Sequence, residues 1–342
     1  MEQYTIDREQ PDIKLADYDA VLLNSAAYVQ AEIKPVERFS VILGGRYDNM
    51  AFTYTNYLDN TSGKKSYQEF TPKVGMTYKI RSNVGVYGNY SLGFSPPSLT
   101  TVFRKKPNTD PAEFYYNIEP AKFTNYELGG WANVLKNKVD IDVAVYQMLG
   151  KNELLNIRQP DNSYDYQSAG KTTHQGIELG VTYRPDYQWT IRIGGTNAMH
   201  RYDEFVLSTR ATDEVKNVNG NRMPSSPSWI ANSEVMYKPK FIKGFKIGVE
   251  WQVMSSWYVD QVNKVKYEDK GAFGIKGISV INFRIGYQWK GMEVFSNIMN
   301  ATDELYAYSA TRGNAATDRT SYTAAAPRLF MLGLQYNFTG KK

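Results

Sequence analysis

Side-chain character switches with every residue over long stretches of this chain, and that rhythm limits it to one kind of secondary structure. In 83–94, Val84, Val86, Tyr90, Leu92 and Phe94 fall on one face, while Asn83, Gly85, Tyr87, Asn89, Ser91 and Gly93 fall on the other. Val139, Ile141, Val143 and Val145 oppose Lys138, Asp140, Asp142, Ala144 and Tyr146. Ile281, Phe283, Ile285, Tyr287 and Trp289 oppose Asn282, Arg284, Gly286 and Gln288. A period of two held over eight or more residues specifies strands with one apolar and one polar face. No helix-period segment longer than two turns interrupts it.

The pattern predicts thirteen strands, near 20–33, 38–54, 67–79, 83–94, 121–134, 138–157, 165–184, 188–202, 228–237, 245–261, 275–289, 292–300 and 327–338. Short connections lie near Pro35, Arg81, Lys136, Pro185, Pro239 and Lys290-Gly291. They alternate with long ones at 55–66, 95–120, 203–227, 262–274 and 301–326, plus a shorter member at 158–164. A β-sandwich also alternates, its apolar faces meeting in a core. Strand length separates the two, because several of these runs far exceed the ~5–6 residues of globular sheets. They match the ~9–11 residues that cross a bilayer at a tilt. Short turns at one end and long loops at the other are the habit of outer-membrane barrels. Mean hydropathy is −0.51, yet the chain carries 6 Trp, 27 Tyr and 15 Phe. A barrel reconciles the two, since its lipid-facing residues are only every second one. Aromatics such as Phe94, Tyr126, Trp189, Trp251, Trp257, Tyr287, Trp289, Tyr336 and Phe338 sit towards strand ends, as interfacial girdles require. The expected fold is therefore an all-β, antiparallel transmembrane β-barrel.

Composition removes other classes. There is no Cys among 342 residues, so disulfide frameworks, Cys-ligated metals and Cys nucleophiles are excluded. Lys and Arg exceed Asp and Glu by only 5 and are dispersed, which argues against a nucleic-acid surface. No apolar run is long enough for a transmembrane helix. HExxH, GxSxG, P-loop and Rossmann fingerprints are missing, so no enzyme and no cofactor is expected. Asp140-x-Asp142 lacks the glycine and distal Glu of a calcium loop. His174 and His200 have no metal-ligand partner at helical spacing, and the pattern places His174 as an ordinary wall histidine.

Five segments in order resemble the barrel of TonB-dependent outer-membrane receptors. They are SLGFSPPS at 91–98, IEPAKFTNYELGGW at 118–131, AGKTTHQGIELGVTY at 169–183, VFSNIMNATDELY at 294–306 and APRLFMLGLQYNF at 326–338. The second departs from the family pattern at Ala121, where an acidic residue is usual. In the last, Gly333, Tyr336 and Phe338 resemble the C-terminal signal read by the outer-membrane assembly machinery, although Thr339-Gly340-Lys341-Lys342 follow it. The resemblance implies the C-terminal part of a barrel of about 22 strands with a plugged lumen, in the outer membrane of a Gram-negative bacterium. On that count roughly nine strands and the plug are unaccounted for. Residues 1–19 are then an extracellular lead-in, 20–338 the partial barrel, and 339–342 a periplasmic tail. The expected partners are the remaining strands and plug (same precursor or second chain), the TonB complex acting through that plug, and outer-membrane lipid. No basic, apolar leader opens the sequence.

The function implied is TonB-coupled uptake of a ferric siderophore. Haem or cobalamin uptake is the near alternative, and the absence of His between Phe94 and Ile118 counts against haem. From another class, a non-transporting surface protein or incomplete receptor stays open. Lumen parity assigns Glu127, Asp140, Asp142, Glu178, Arg192 and Arg284 to the wall, with Glu127 and Glu178 expected to pair with neighbours such as Arg192. Asn297, Asn300 and Asp303 are read as capping a strand end and turn. Ligand contacts are expected from Arg104, Phe114, Tyr115 and Tyr116 in one long loop and Tyr308, Arg312 and Tyr322 in another. Cationic and aromatic groups together suit a flat, anionic chelate.

Overall fold

The computed structural model describes residues 14, 16–109, 111, 113–314 and 317–338. Most of the expected lead-in and all of the expected tail lie outside these residues. Among the described residues seventeen strands occur: β1 (Tyr18–Val36), β2 (Phe39–Asn56), β3 (Thr61–Arg81), β4 (Val84–Ser95), β5 (Ala121–Val134), β6 (Val139–Arg158), β7 (Tyr164–Tyr183), β8 (Trp189–Glu204), β9 (Trp229–Tyr237), β10 (Phe245–Ser255), β11 (Trp257–Tyr258), β12 (Lys266–Tyr267), β13 (Gly277–Trp289), β14 (Met292–Met299), β15 (Ala307–Thr311), β16 (Ser321–Ala324) and β17 (Leu329–Tyr336). One α-helical turn, α1 (Leu99–Val102), is capped by the Ser98 hydroxyl, and a 3-10 turn lies at Ala272–Gly274.

Thirteen strands form one antiparallel sheet in the order β1-β2-β3-β4-β5-β6-β7-β8-β9-β10-β13-β14-β17. Each expected strand corresponds to one of these. The reading differs from the structure in the loops and at two strand ends. The expected strand 245–261 stops at Ser255, and β3 begins six residues earlier than the alternation indicated, at Thr61. The long connections carry two small hairpins, β11–β12 and β15–β16, too short for a periodic signal.

At about 3.3 Å per residue, the 20 residues of β6 or β7 reach about 66 Å, well beyond a single tilted crossing. The upper halves of β1–β3 and β6–β8 therefore rise above the bilayer and carry the loops. Leu128, Val143, Ile177, Leu179 and Ile193 are exposed on the outer face, as a lipid-facing surface demands. On the inner face Gly85 and Gly129 leave room for large neighbours: a Cβ on Gly85 would meet the Trp131 ring at 2.3 Å, and one on Gly129 the Tyr87 ring at 2.4 Å. The sheet does not close on itself, because β1 and β17 are its two edges. Every residue of β1 is exposed.

Candidate functional site

Register sets the inner wall. The Tyr87 hydroxyl donates to Glu127 at 2.8 Å across β4 and β5. Tyr87, Asp142, Glu178, Thr196 and Asn232 line a shallow depression of about 440 Å³. Asp140 is held by Arg184, and Arg192 donates to Glu234 at 2.6 Å. Arg284 donates to Glu250 at 2.8 Å and lies 3.9 Å from Glu234. Glu250 also accepts from Asn232 at 2.8 Å and Gln252 at 3.1 Å, so its buried charge is both paired and hydrogen-bonded. The expected pairing of Arg192 with Glu127 or Glu178 does not form. Arg192 stands opposite Thr182 and Glu234, while Glu178 stands opposite Ala144 and Thr196, and Glu127 is taken by Tyr87. Asn300 and Asp303 do build the exit turn. The Asn300 amide nitrogen donates to the Glu304 and Ala326 carbonyls, its oxygen accepts from Glu304, and Asp303 accepts from the Arg328 N–H.

Above the wall the loops form two clusters. In the first, Phe103 stacks on Tyr54 with ring centres 5.1 Å apart, and Phe114 and Tyr116 meet its edge at 5.6 and 5.9 Å. Met50, Phe52, Tyr67 and Val102 are buried with it. Arg104 lies 5.0 Å over the Tyr166 ring. Tyr115 is only 1% exposed, packs against the same ring and donates to the Tyr164 carbonyl, so it anchors the loop from inside. Burial pushes its phenol up to about 12. Lys105 reaches Asp59 in the β2–β3 turn at 2.6 Å. The ammonium and the Thr61 hydroxyl hold that carboxyl down to about 2.

In the second cluster Trp257, Val259, Tyr267, Ala307 and Ala310 are buried together. Gln261 joins three loops, meeting the Asn221 amide, the Tyr202 hydroxyl and the Asn314 side chain. Tyr308 and Tyr322 are exposed, and the Arg312 N–H donates to the Val259 carbonyl. The expected ligand residues thus fall into two groups, Arg104, Phe114, Tyr115 and Tyr116 in the first cluster and Tyr308, Arg312 and Tyr322 beside the second.

Two features escaped the sequence reading. A cavity of about 770 Å³ opens between the loops, walled in part by Arg158, Tyr164, Asp213, Glu214, Lys264 and Asn314. The Nε of Arg158, a residue of this lining, is screened from solvent and has no hydrogen-bond partner, and Asp213, Glu214 and Asp318 stand with Arg158 and Lys264 around the cavity. The second is a contact between the two histidines, whose Nδ1 atoms stand 2.8 Å apart across β7 and β8. Helical spacing could not reveal it. The signal was the turn near Pro185, about which residues 174 and 200 are symmetric.

A family model for the TonB dependent receptor-like β-barrel matches residues 4–308. The chain is 27% identical over 169 residues to the metal-pseudopaline receptor CntO of Pseudomonas aeruginosa, covering 48% of this chain and 22% of that one. It is 23% identical over 244 residues to the ferrichrome outer membrane transporter/phage receptor of Escherichia coli, covering 71% and 30%. The solved siderophore receptor PiuA from Acinetobacter baumannii superposes with a TM-score of 0.73 at 20% identity, covering 94% of this chain and 44% of that one. The chain therefore spans less than half the length of each of these proteins. A match across most of its residues, with the open thirteen-stranded sheet, settles what it is: the chain belongs to the TonB-dependent receptor β-barrel family of the Gram-negative outer membrane.

Proposed function

We propose that this chain is the larger part of a barrel for TonB-coupled uptake of a ferric siderophore. The observation that carries the reading is the loop cap above a polar inner wall. Aromatic rings gather in the 96–120 loop with Arg104 beside them, and a 770 Å³ cavity opens between the loops. Such a surface can hold a bulky, planar, anionic chelate by stacking and charge. Arg104, Phe114, Tyr116, Tyr308, Arg312 and Tyr322 are the proposed contacts, with Tyr115 holding its loop in place. The wall residues Glu127, Asp140, Asp142, Glu178, Arg192 and Arg284 face a plug, through which the TonB complex acts. Gly333, Tyr336 and Phe338 serve as the assembly signal. The Phe295 ring of β14 covers Gly333 on β17, and Tyr336 meets Phe338, just past the strand, edge-on at 4.6 Å.

The open edges call for more strands. In lipid, each unpaired backbone group at β1 or β17 costs several kcal/mol. Both edges run in the same direction, since strands alternate across an odd-numbered sheet, so an odd number of further strands is needed to close it antiparallel. Uptake of radiolabelled iron by a deletion strain under iron limitation tests the function. Loss of uptake for one class of ferric siderophore, restored by the gene, is the expected result. Unchanged uptake across hydroxamate, catecholate and carboxylate chelates would contradict it.

A further inference from the structure

The chain has two histidines, and the fold sets them side by side on the inner wall. Their Nδ1 atoms, 2.8 Å apart, can share one proton between them but cannot both carry one. The neighbouring contacts fix which nitrogen of His174 is bare. The Thr172 hydroxyl donates its single proton to Glu153. Its oxygen also lies 3.0 Å from His174 Nε2 and must therefore accept there. Neutral His174 is thus protonated at Nε2, which leaves its Nδ1, the nitrogen beside His200, without a proton of its own. A hydrogen-bond acceptor on the far ring nitrogen, here the Thr172 hydroxyl, fixes the tautomer and orientation of a histidine as it does in metal sites.

From this geometry we infer that His174 and His200 form a chelating site for a divalent copper-type cation, beyond the siderophore role proposed above. The proton now shared between the two nitrogens leaves that position when the ion enters, and the rings turn their lone pairs from each other towards it. Among divalent first-row ions, affinity for such imidazole nitrogens peaks at Cu(II). Binding shifts the His200 proton from Nδ1 to Nε2, so two neutral imidazoles become ligands and no net proton is released. Met148 is the residue opposite His174 on β6 and brings a thioether to the same row. Nearby charge is Glu153 and Asp203 against Arg222, which the Ser228 hydroxyl holds. Among the described residues no third His, Asp or Glu completes a closed cage. Two protein ligands without a closed cage let the ion exchange, so the site suits transit along the wall instead of storage.

The test uses the chain in the assembled, detergent-extracted form that cells produce, titrated with copper(II) chloride against a magnesium control. One copper per chain is expected, with an axial EPR signal and pulsed-EPR couplings from two imidazoles. Thr172→Ala should weaken binding about 10- to 100-fold by releasing the His174 ring. His174→Gln with His200→Gln should abolish the imidazole couplings while the barrel keeps its heat-modifiable mobility. Imidazole-free copper in the unaltered protein, or unchanged binding in the double variant, would overturn the inference. The wild-type spectrum decides the matter even if the double variant fails to assemble. Siderophore uptake does not enter the readout, so this result stands apart from the transport assay.

Discussion

At the scale of single residues, the structure depends on positions whose surroundings accept one side chain. Gly277 opens β13 at φ +110°, and a Cβ there would stand 2.2 Å from the Met254 carbonyl oxygen. Gly277→Ala should lower stability by about 1–3 kcal/mol, read as a drop in the midpoint of heat-induced loss of the folded gel mobility. Asn300 is 3% exposed and uses both ends of its amide to tie the β14 exit to Glu304 and Ala326. Asn300→Ala leaves those groups without partners and should cost about 1–3 kcal/mol, visible as faster amide exchange over 300–306. Its role as a turn-builder was legible from residue type alone. The partners of Glu127 and Arg192 were not. A wall charge pairs with whatever stands opposite in register, and parity gives the face but not the neighbour.

At the scale of elements, the strands were readable because a half-buried strand writes its face into every second residue. The loops were not, because α1, β11–β12 and β15–β16 are shorter than any period and are held by distant partners. The 96–120 loop shows how. Phe103 is 4% exposed between Tyr54, Phe114 and Tyr116, and Arg104, Lys105 and Lys106 follow it. Phe103→Ala removes a buried ring worth about 3–5 kcal/mol. Trypsin should then cut this loop faster while the strands stay resistant. The Lys105–Asp59 pair adds a pH dependence. The Asp59 carboxyl is held below its ordinary 3.8, so its contribution is complete above that value and is lost as pH falls through about 2. Pepsin cleavage of the loop should rise between pH 4 and pH 2 relative to the Asp59→Asn variant, whose cleavage should not show this added rise. Parallel pH profiles for the two would count against the pair as a loop tether.

For the whole molecule, the thirteen-stranded sheet with two open edges accounts for both the polar average and the aromatic wealth of the sequence. One face is lipid-directed and carries Leu128, Val143 and Ile177, while the other carries the charged rows of the wall. Fold class was legible because that division persists through thirteen strands, and the family because five motifs resembling its barrel stand in order. The ligand surface was legible only in outline, since it depends on how separate loops meet. Tyr115 turned out to be an anchor, and the cavity beside Arg158 had no local signature. The absence of cysteine from these 342 residues gives the central claim a direct test, because an introduced thiol is the sole label site within them. Spin labels placed singly from Asn125 to Trp131 should alternate in collision accessibility. Tyr126, Leu128 and Gly130 should favour oxygen, which partitions into lipid, and Asn125, Glu127, Gly129 and Trp131 a water-soluble nickel reagent. Equal exposure of both faces to the aqueous reagent in native outer membranes would contradict a membrane-spanning wall.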